Sequence, residues 1–250
     1  MIKVLHVYRS YYPDTHGGIE EVIRQLTCNE DGSGVDSRVF TLSPNPVPKS
    51  FEYQNTAVYR SKQQCEIASC NMSISAFSEF KTQVKWADIL HYHFPWPFAD
   101  LLHLISANNK PFIVTYHSDI VRQKFWLKLY QPLQNAFLKR AASIVATSPN
   151  YMKSSLTLKK FSHQTTIIPL GIEDVSNKVL PSPAEFVKGD YVLFVGVLRY
   201  YKGLSILLAG ADKVNTTIVI VGCGPEEAAL KAQAKKLKLQ NIIFTGYVTE

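Results

Sequence analysis

The sequence has few cysteines and no long apolar run, and both absences narrow the classes of protein it can encode. Four cysteines in 250 residues, none in a C-x-x-C pair, are too few for a disulfide scaffold. The apolar runs at residues 191–198 and 217–221 are far shorter than the roughly 20 residues of a membrane-spanning helix. The first residues lack the apolar region and cleavage site of a signal peptide. We therefore expect a cytoplasmic chain that meets a membrane only from the surface.

What the sequence does have is apolar material for a core and an excess of positive charge. Hydrophobic residues make up 46% of the chain, which excludes disorder as a description of the whole. Lys and Arg number 27 against 20 Asp and Glu, a net charge of +7 that favours an anionic partner or serves solubility alone. The basic residues do not form one aromatic-studded stripe, which argues against nucleic acid as the partner.

Short β-branched runs alternate with longer amphipathic stretches, which is typical of a parallel sheet covered by helices on both faces. Residues 171–190 interrupt this pattern with two prolines and scattered charges, and it restarts at residue 191. We therefore predict an α/β protein with a Rossmann-like domain at 1–170, a linker at 171–190 and a partial second Rossmann-like domain at 191–250. The main predicted helices cover residues 18–28, 98–107, 125–140, 150–159, 204–211 and 226–237, and residues 43–55 are predicted as a loop.

Candidate binding residues follow predicted strands, because an open parallel sheet binds ligands beyond the carboxyl ends of its strands. Gly17 and Gly18 open the first helix, where free N–H groups suit a phosphate, although a flexible turn explains them equally. Arg199 and Lys202 follow a predicted buried strand at residues 191–197. Two cations there suit a diphosphate, and a solvated basic turn is the alternative.

Three histidines also lie at or near strand ends. His117 follows the strand at residues 111–116 and could bond a sugar hydroxyl or an anion, or be a satisfied loop histidine. His91 and His93 share one face of a strand. A zinc pair is conceivable, but no third ligand stands nearby in the sequence, so packing and polar contacts are preferred.

Two further segments leave alternatives open. Gly222 and Gly224 follow a strand, but Glu227 stands where the third glycine of a dinucleotide fingerprint would fall. An NAD-dependent oxidoreductase is therefore a minor alternative. The helix at residues 125–140 and the residues before it are basic and aromatic, which suits an anionic bilayer surface or packing on the sheet. The candidates for acceptor or membrane contact there are Arg122, Lys124, Trp126 and Lys128.

Taken together, six motifs in order resemble those of the retaining GT-B glycosyltransferases of family 4, and most of all bacterial mannosyltransferases of O-antigen and lipopolysaccharide assembly. The motifs are Gly17-Gly18-Ile19-Glu20, Tyr116-His117-Ser118, Ile168-Pro169-Leu170-Gly171-Ile172, residues 194–203, Val221-Gly222-Cys223-Gly224-Pro225 and Thr245-Gly246-Tyr247-Val248.

The resemblance implies two Rossmann-like domains facing a cleft, the second incomplete, that move a hexose with retention onto a lipid-linked or polysaccharide acceptor. The implied donor is GDP-mannose, and no metal or other cofactor is required. His117 would be the catalytic residue that contacts the transferred sugar. The implied donor-binding residues are Gly17, Gly18, Arg199, Lys202, Gly222 and Val248.

Two departures from the family pattern qualify these roles. The family usually has an arginine directly after the glycine of the first loop in its second domain, and here that residue is Val197. The family's two glutamates further along that domain lie beyond residue 250, and about a third of the expected length is absent. We therefore expect these 250 residues not to turn over donor, and a non-catalytic chain that binds nucleotide sugar is the alternative function.

Overall fold

The structure is a computed structural model that describes residues 1–28, 34–107, 109–120, 124–171 and 189–248, with only the backbone for residues 124–126. The chain divides into two compact units, Met1–Glu173 and Asp174–Glu250. Most of the predicted linker, residues 172–188, lies outside the described residues.

The first unit contains ten strands and six helices among its described residues. The strands are β1 (Ile2–Val7), β2 (Val35–Ser43), β3 (Ser50–Tyr53), β4 (Thr56–Lys62), β5 (Cys65–Ile67), β6 (Cys70–Met72), β7 (Ile89–Phe94), β8 (Phe112–Tyr116), β9 (Ser143–Ala146) and β10 (Thr165–Ile167). The helices are α1 (Gly18–Cys28), α2 (Ala76–Trp86), α3 (Pro97–Ser106), α4 (Lys124–Arg140), α5 (Pro149–Ser154) and α6 (Leu156–Lys160).

Eight of these strands form one sheet in the order β10-β9-β8-β7-β1-β2-β4-β3, parallel except for the edge strand β3. One face carries the main apolar core, in which Leu5, Leu90 and Val114 of the central strands pack with Phe80 of α2 and Phe137 of α4. The opposite face has a smaller apolar cluster that includes Ile23 of α1 and Val39 of β2. Both faces of the central strands are therefore buried, as the apolar strand pattern predicts.

The structure corrects three sequence-based assignments in the first unit. The predicted loop at 43–55 contains β3, which turns back onto β4 through Gln54 and Asn55, both at positive φ. The predicted helix at 150–159 is two helices, because Ser155 ends α5 and caps α6. Helix α2 has no counterpart among the predicted helices, although its buried Ala76, Phe80 and Val84 recur at helical spacing.

The second unit holds a parallel sheet of β11 (Tyr191–Val195), β12 (Thr217–Val221) and β13 (Ile242–Gly246), in that order. Helices α7 (Leu204–Ala209) and α8 (Glu227–Lys236) pack on it through a core that includes Leu204, Leu230 and Ile220. The prediction that the strand before Gly196 is buried is wrong, since β11 is an edge strand with mostly exposed side chains. None of the helices in the described residues is long and apolar enough to cross a bilayer.

Candidate functional site

His117 lies at the carboxyl end of β8, and its backbone N–H donates to the carbonyl of Phe94 at 3.1 Å. Its ring is half-buried, and desolvation lowers its pKa to about 4, so the imidazole is neutral at pH 7. The Nε2 atom lies 3.1 Å from Nδ1 of His93. The next turn is held by Asp119, whose carboxylate accepts hydrogen bonds from Tyr116 and Ser155, each at 2.9 Å. A rigid loop therefore presents a neutral imidazole, as hydrogen bonding to an uncharged sugar hydroxyl requires.

Gly17 and Gly18 lie where β1 leads into α1, and their surroundings differ. A β-carbon at Gly17 would meet the carboxylate of the buried Glu20. That carboxylate accepts hydrogen bonds from the hydroxyls of Ser10 at 2.9 Å and Thr15 at 2.8 Å. Gly17 is thus explained by a close contact within the chain itself. Gly18 is exposed with open space around it, so its backbone stays accessible to a ligand.

Arg199 and Lys202 flank a single 3₁₀ turn that follows β11, and both side chains are exposed. The turn is closed by a hydrogen bond from the Lys202 N–H to the Arg199 carbonyl at 3.0 Å, and Gly203 ends it at φ 72°. The Lys202 ammonium lies 5.8 Å from the centre of the Tyr201 ring. Arg199 makes no ion pair with any residue that the structure describes. Both cations therefore remain open to an anionic ligand.

Gly222 and Gly224 have a structural reason that the sequence could not reveal. A β-carbon at Gly222, where φ is 121°, would collide with the carbonyl oxygen of Gly196. One at Gly224 would lie 2.6 Å from the carbonyl oxygen of Leu198. The two loops are also joined by a hydrogen bond from the Leu198 N–H to the Cys223 carbonyl at 3.0 Å. These glycines let the loops after β11 and β12 touch, which fixes the backbone that leads to Arg199.

His91 and His93 have a third histidine beside them, so the expectation that no third ligand lies nearby is wrong. The strand pairing places His6 opposite His91, and ring nitrogens of His6, His91 and His93 all lie within 4.8 Å of one another. Each imidazole nevertheless has another partner: His6 and His93 bond each other at 3.2 Å, and His91 bonds Thr115 at 2.7 Å. No carboxylate joins the cluster to balance a buried dication. The donor set therefore fits a hydrogen-bonded polar layer better than a metal site.

The remaining candidate residues are scattered or lie outside the described part. Val248 is exposed and follows β13. Lys128 is exposed on α4, and for Lys124 and Trp126 only the helical backbone is described. Arg122 lies outside the described residues.

Comparison with known proteins identifies the family. The model of Glycosyltransferase Family 4 matches residues 16–175, and that of Glycosyl transferases group 1 matches residues 177–250. This chain belongs to glycosyltransferase family 4. The family 4 chain is 46% identical to O-antigen chain mannosyltransferase C of Escherichia coli and 43% identical to the D-rhamnosyltransferase WbpZ of Pseudomonas aeruginosa. Both alignments cover 100% of this chain, and they cover 68% and 67% of the two relatives.

Solved structures show that this family 4 glycosyltransferase has the GT-B fold. HepE of Anabaena, solved in complex with UDP-glucose, superposes with a TM-score of 0.76 at 16% identity and covers 100% of this chain and 70% of its own. Sucrose-phosphate synthase from Thermosynechococcus elongatus gives a TM-score of 0.70 at 17% identity, with 99% and 71% covered. The resemblance stated from the six motifs is confirmed, and the oxidoreductase alternative is set aside.

Proposed function

We propose that this glycosyltransferase moves mannose from GDP-mannose, with retention, onto a lipid-linked or polysaccharide acceptor in O-antigen assembly. The observation that carries the proposal is the 46% identity to an O-antigen mannosyltransferase over the whole chain. The relative at 43% identity transfers D-rhamnose, which is mannose without the 6-hydroxyl, so a GDP-linked 6-deoxy sugar is the second candidate donor.

In the proposed reaction the bond between the sugar C1 and the terminal diphosphate oxygen breaks. The acceptor oxygen bonds to C1 on the same face, and its proton passes to the departing diphosphate. Arg199 and Lys202 stabilise the charge that develops on that leaving group. His117 contacts the transferred sugar as a neutral imidazole. No metal is assigned, because the two cations supply the positive charge that a metal would otherwise bring.

The proposal is tested first by donor binding to the full chain, measured by calorimetry with GDP-mannose, GDP-D-rhamnose and UDP-glucose. We expect Lys202→Ala to weaken GDP-mannose binding by about 10- to 100-fold, because a hydrogen bond to a charged group contributes about 1.5–3 kcal/mol. Lys213→Ala is the matched control. It removes an exposed lysine of the same unit from the opposite edge of the sheet, before β12 begins, and should bind like the wild type. Equal losses in the two variants would contradict the assigned role.

Transfer is then measured on the same chain with a saccharide acceptor. Comparing the anomeric configuration of the product with that of the donor by NMR decides whether the reaction retains it. Binding without transfer would favour the non-catalytic alternative, and preference for UDP-glucose would overturn the assigned nucleotide.

Contact with an anionic membrane is proposed for the segment that includes Arg122, Lys124, Trp126 and Lys128. Its cations would attract anionic headgroups while Trp126 meets the interface. We expect the chain to float with vesicles containing phosphatidylglycerol and to lose that association when Lys124 and Lys128 are both replaced by Ala. Equal flotation with neutral vesicles would contradict an electrostatic contact.

A further inference from the structure

A row of imidazoles crosses the centre of the first unit's sheet, on the face opposite the main apolar core. His6 of β1 pairs with His91 of β7, and His93 pairs with Thr115 of β8. His6 is 4% exposed and His93 is 1% exposed. His117 follows at the carboxyl end of β8, where its ring stacks on that of His93 with centroids 5.4 Å apart. Four histidines in one buried layer need a polar explanation, because an apolar face would pack better without them.

Three hydrogen bonds join part of this row into a chain that ends at His117. The hydroxyl of Ser37 lies 3.4 Å from Nε2 of His6, and Nδ1 of His6 lies 3.2 Å from Nε2 of His93. Nδ1 of His93 lies 3.1 Å from Nε2 of His117. Both ring nitrogens of His6 and of His93 are therefore used. Among the described residues, Nδ1 of His117 has no hydrogen-bond partner, so it is the end of the chain.

The rings in this chain are neutral, which makes the hydrogen bonds directional. Burial lowers the pKa of His6 and of His117 to about 4 and lowers that of His93 well below its ordinary value. A neutral imidazole has one N–H donor and one acceptor nitrogen. If one ring donates through Nδ1, its Nε2 must accept, and the same choice is imposed on the next ring. A direction set at one end therefore fixes the tautomer at the other.

We propose that this chain runs from Ser37 to His117 and holds His117 in the Nδ1–H tautomer, with His6 and His93 as positioning residues. A hydroxyl is a ready donor, and its hydrogen bond to Nε2 of His6 leaves the His6 hydrogen on Nδ1. His6 then donates to His93, and His93 donates to Nε2 of His117. The remaining hydrogen of His117 is on Nδ1, at the unpartnered end of the chain. That this N–H meets an oxygen of the sugar nucleotide rests on the proposed function, whereas the tautomer itself does not.

The test is the long-range ¹H–¹⁵N spectrum of the histidine side chains in the full chain at pH 7.5, without donor. We expect His117 in the Nδ1–H form in the wild type. In His93→Phe we expect it to shift toward the Nε2–H form that free imidazole side chains favour. His91→Phe is the matched control, because the His91 ring stacks on His93 at 4.4 Å but bonds Thr115 and not the chain. That variant should leave the His117 tautomer unchanged.

If His93→Phe does not fold, His6→Phe breaks the preceding link and should give a mixture of the two His117 tautomers. Nε2–H at His117 in the wild type, or the same tautomer in the wild type and in the folded chain-breaking variant, would overturn the proposal. A spectrum that changes when a chelator removes bound zinc would overturn it too, because it would show the cluster to be a metal site.

A second spectrum, recorded after GDP-mannose is added, separates this inference from the proposed function. Perturbation of the His117 Nδ1–H signal supports both. A correct tautomer with no response to any sugar nucleotide leaves the hydrogen-bond chain standing and counts against the proposed donor.

Discussion

His6 shows at the scale of one residue how burial sets the pH range in which the first unit is stable. Its pKa falls from 6.5 to about 4 on folding because the ring is removed from water. Between these values the unfolded chain binds a proton that the folded chain does not. The free energy of unfolding therefore falls as pH falls through this window, and the contribution of His6 is complete above about pH 6.5.

We predict that this dependence appears as a difference between the wild type and His6→Phe. From pH 6.5 to pH 5, the wild type should lose up to about 1.4 kcal/mol per pH unit more than the variant. The comparison is necessary because Asp100 is buried with a raised pKa, and its protonation works in the opposite direction in both proteins. Urea unfolding at pH 7.5, 6.5 and 5 measures the difference. A gap that stays constant across these pH values would show that His6 is not protonated on unfolding.

At the scale of elements, Ser155 explains why one predicted helix is two. Its N–H donates to the Tyr151 carbonyl at the end of α5, while its hydroxyl accepts from the Leu158 N–H at the start of α6. The same hydroxyl donates to Asp119 at 2.9 Å, in the loop after His117. A serine within an amphipathic stretch gives no warning of such a break, because the Asp119 partner lies 36 residues away.

We predict that Ser155→Ala destabilises the first unit by about 1–2 kcal/mol, since it removes a helix cap and leaves a carboxylate with one partner fewer. Ser148→Ala is the control, because Ser148 caps α5 through the Tyr151 N–H and has no printed contact to a charged group. It should cost only the cap, about 0.5–1 kcal/mol. Chemical denaturation compares the two, and equal losses would mean that the bond to Asp119 contributes nothing.

The sequence predicts most of the central strands because each is a continuous apolar run buried on both faces. It fails at β3, whose turn uses Gln54 and Asn55 in place of the Asn-Gly pair that marks a tight hairpin. At the site, it finds His117 and His93 from their positions near strand ends. It misses His6, because only the pairing of β1 with β7 shows that residues 85 apart in sequence are neighbours.

At the scale of the whole molecule, stability rests on apolar cores drawn from separate parts of the chain. The main core and the α1 cluster use residues before 162, and the second unit's core uses residues from 194 onward. The tryptophans are distributed unevenly, since Trp86, Trp96 and Trp126 all belong to the first unit. Tryptophan fluorescence therefore reports unfolding of the first unit, whereas far-UV circular dichroism reports both.

This distribution allows a test of whether the two cores unfold independently. We predict that Gly222→Ala, which forces a β-carbon onto the Gly196 carbonyl, destabilises the second unit by about 1–3 kcal/mol. The dichroism curve in urea should then shift at its second-unit step while the fluorescence midpoint stays unchanged. Gly210→Ala is the control, because φ there is −108° and a β-carbon would come no closer than 4.0 Å to a neighbouring atom. If fluorescence shifts as far as dichroism does, the cores unfold as one cooperative unit, because damage at Gly222 then reaches the tryptophans of the first.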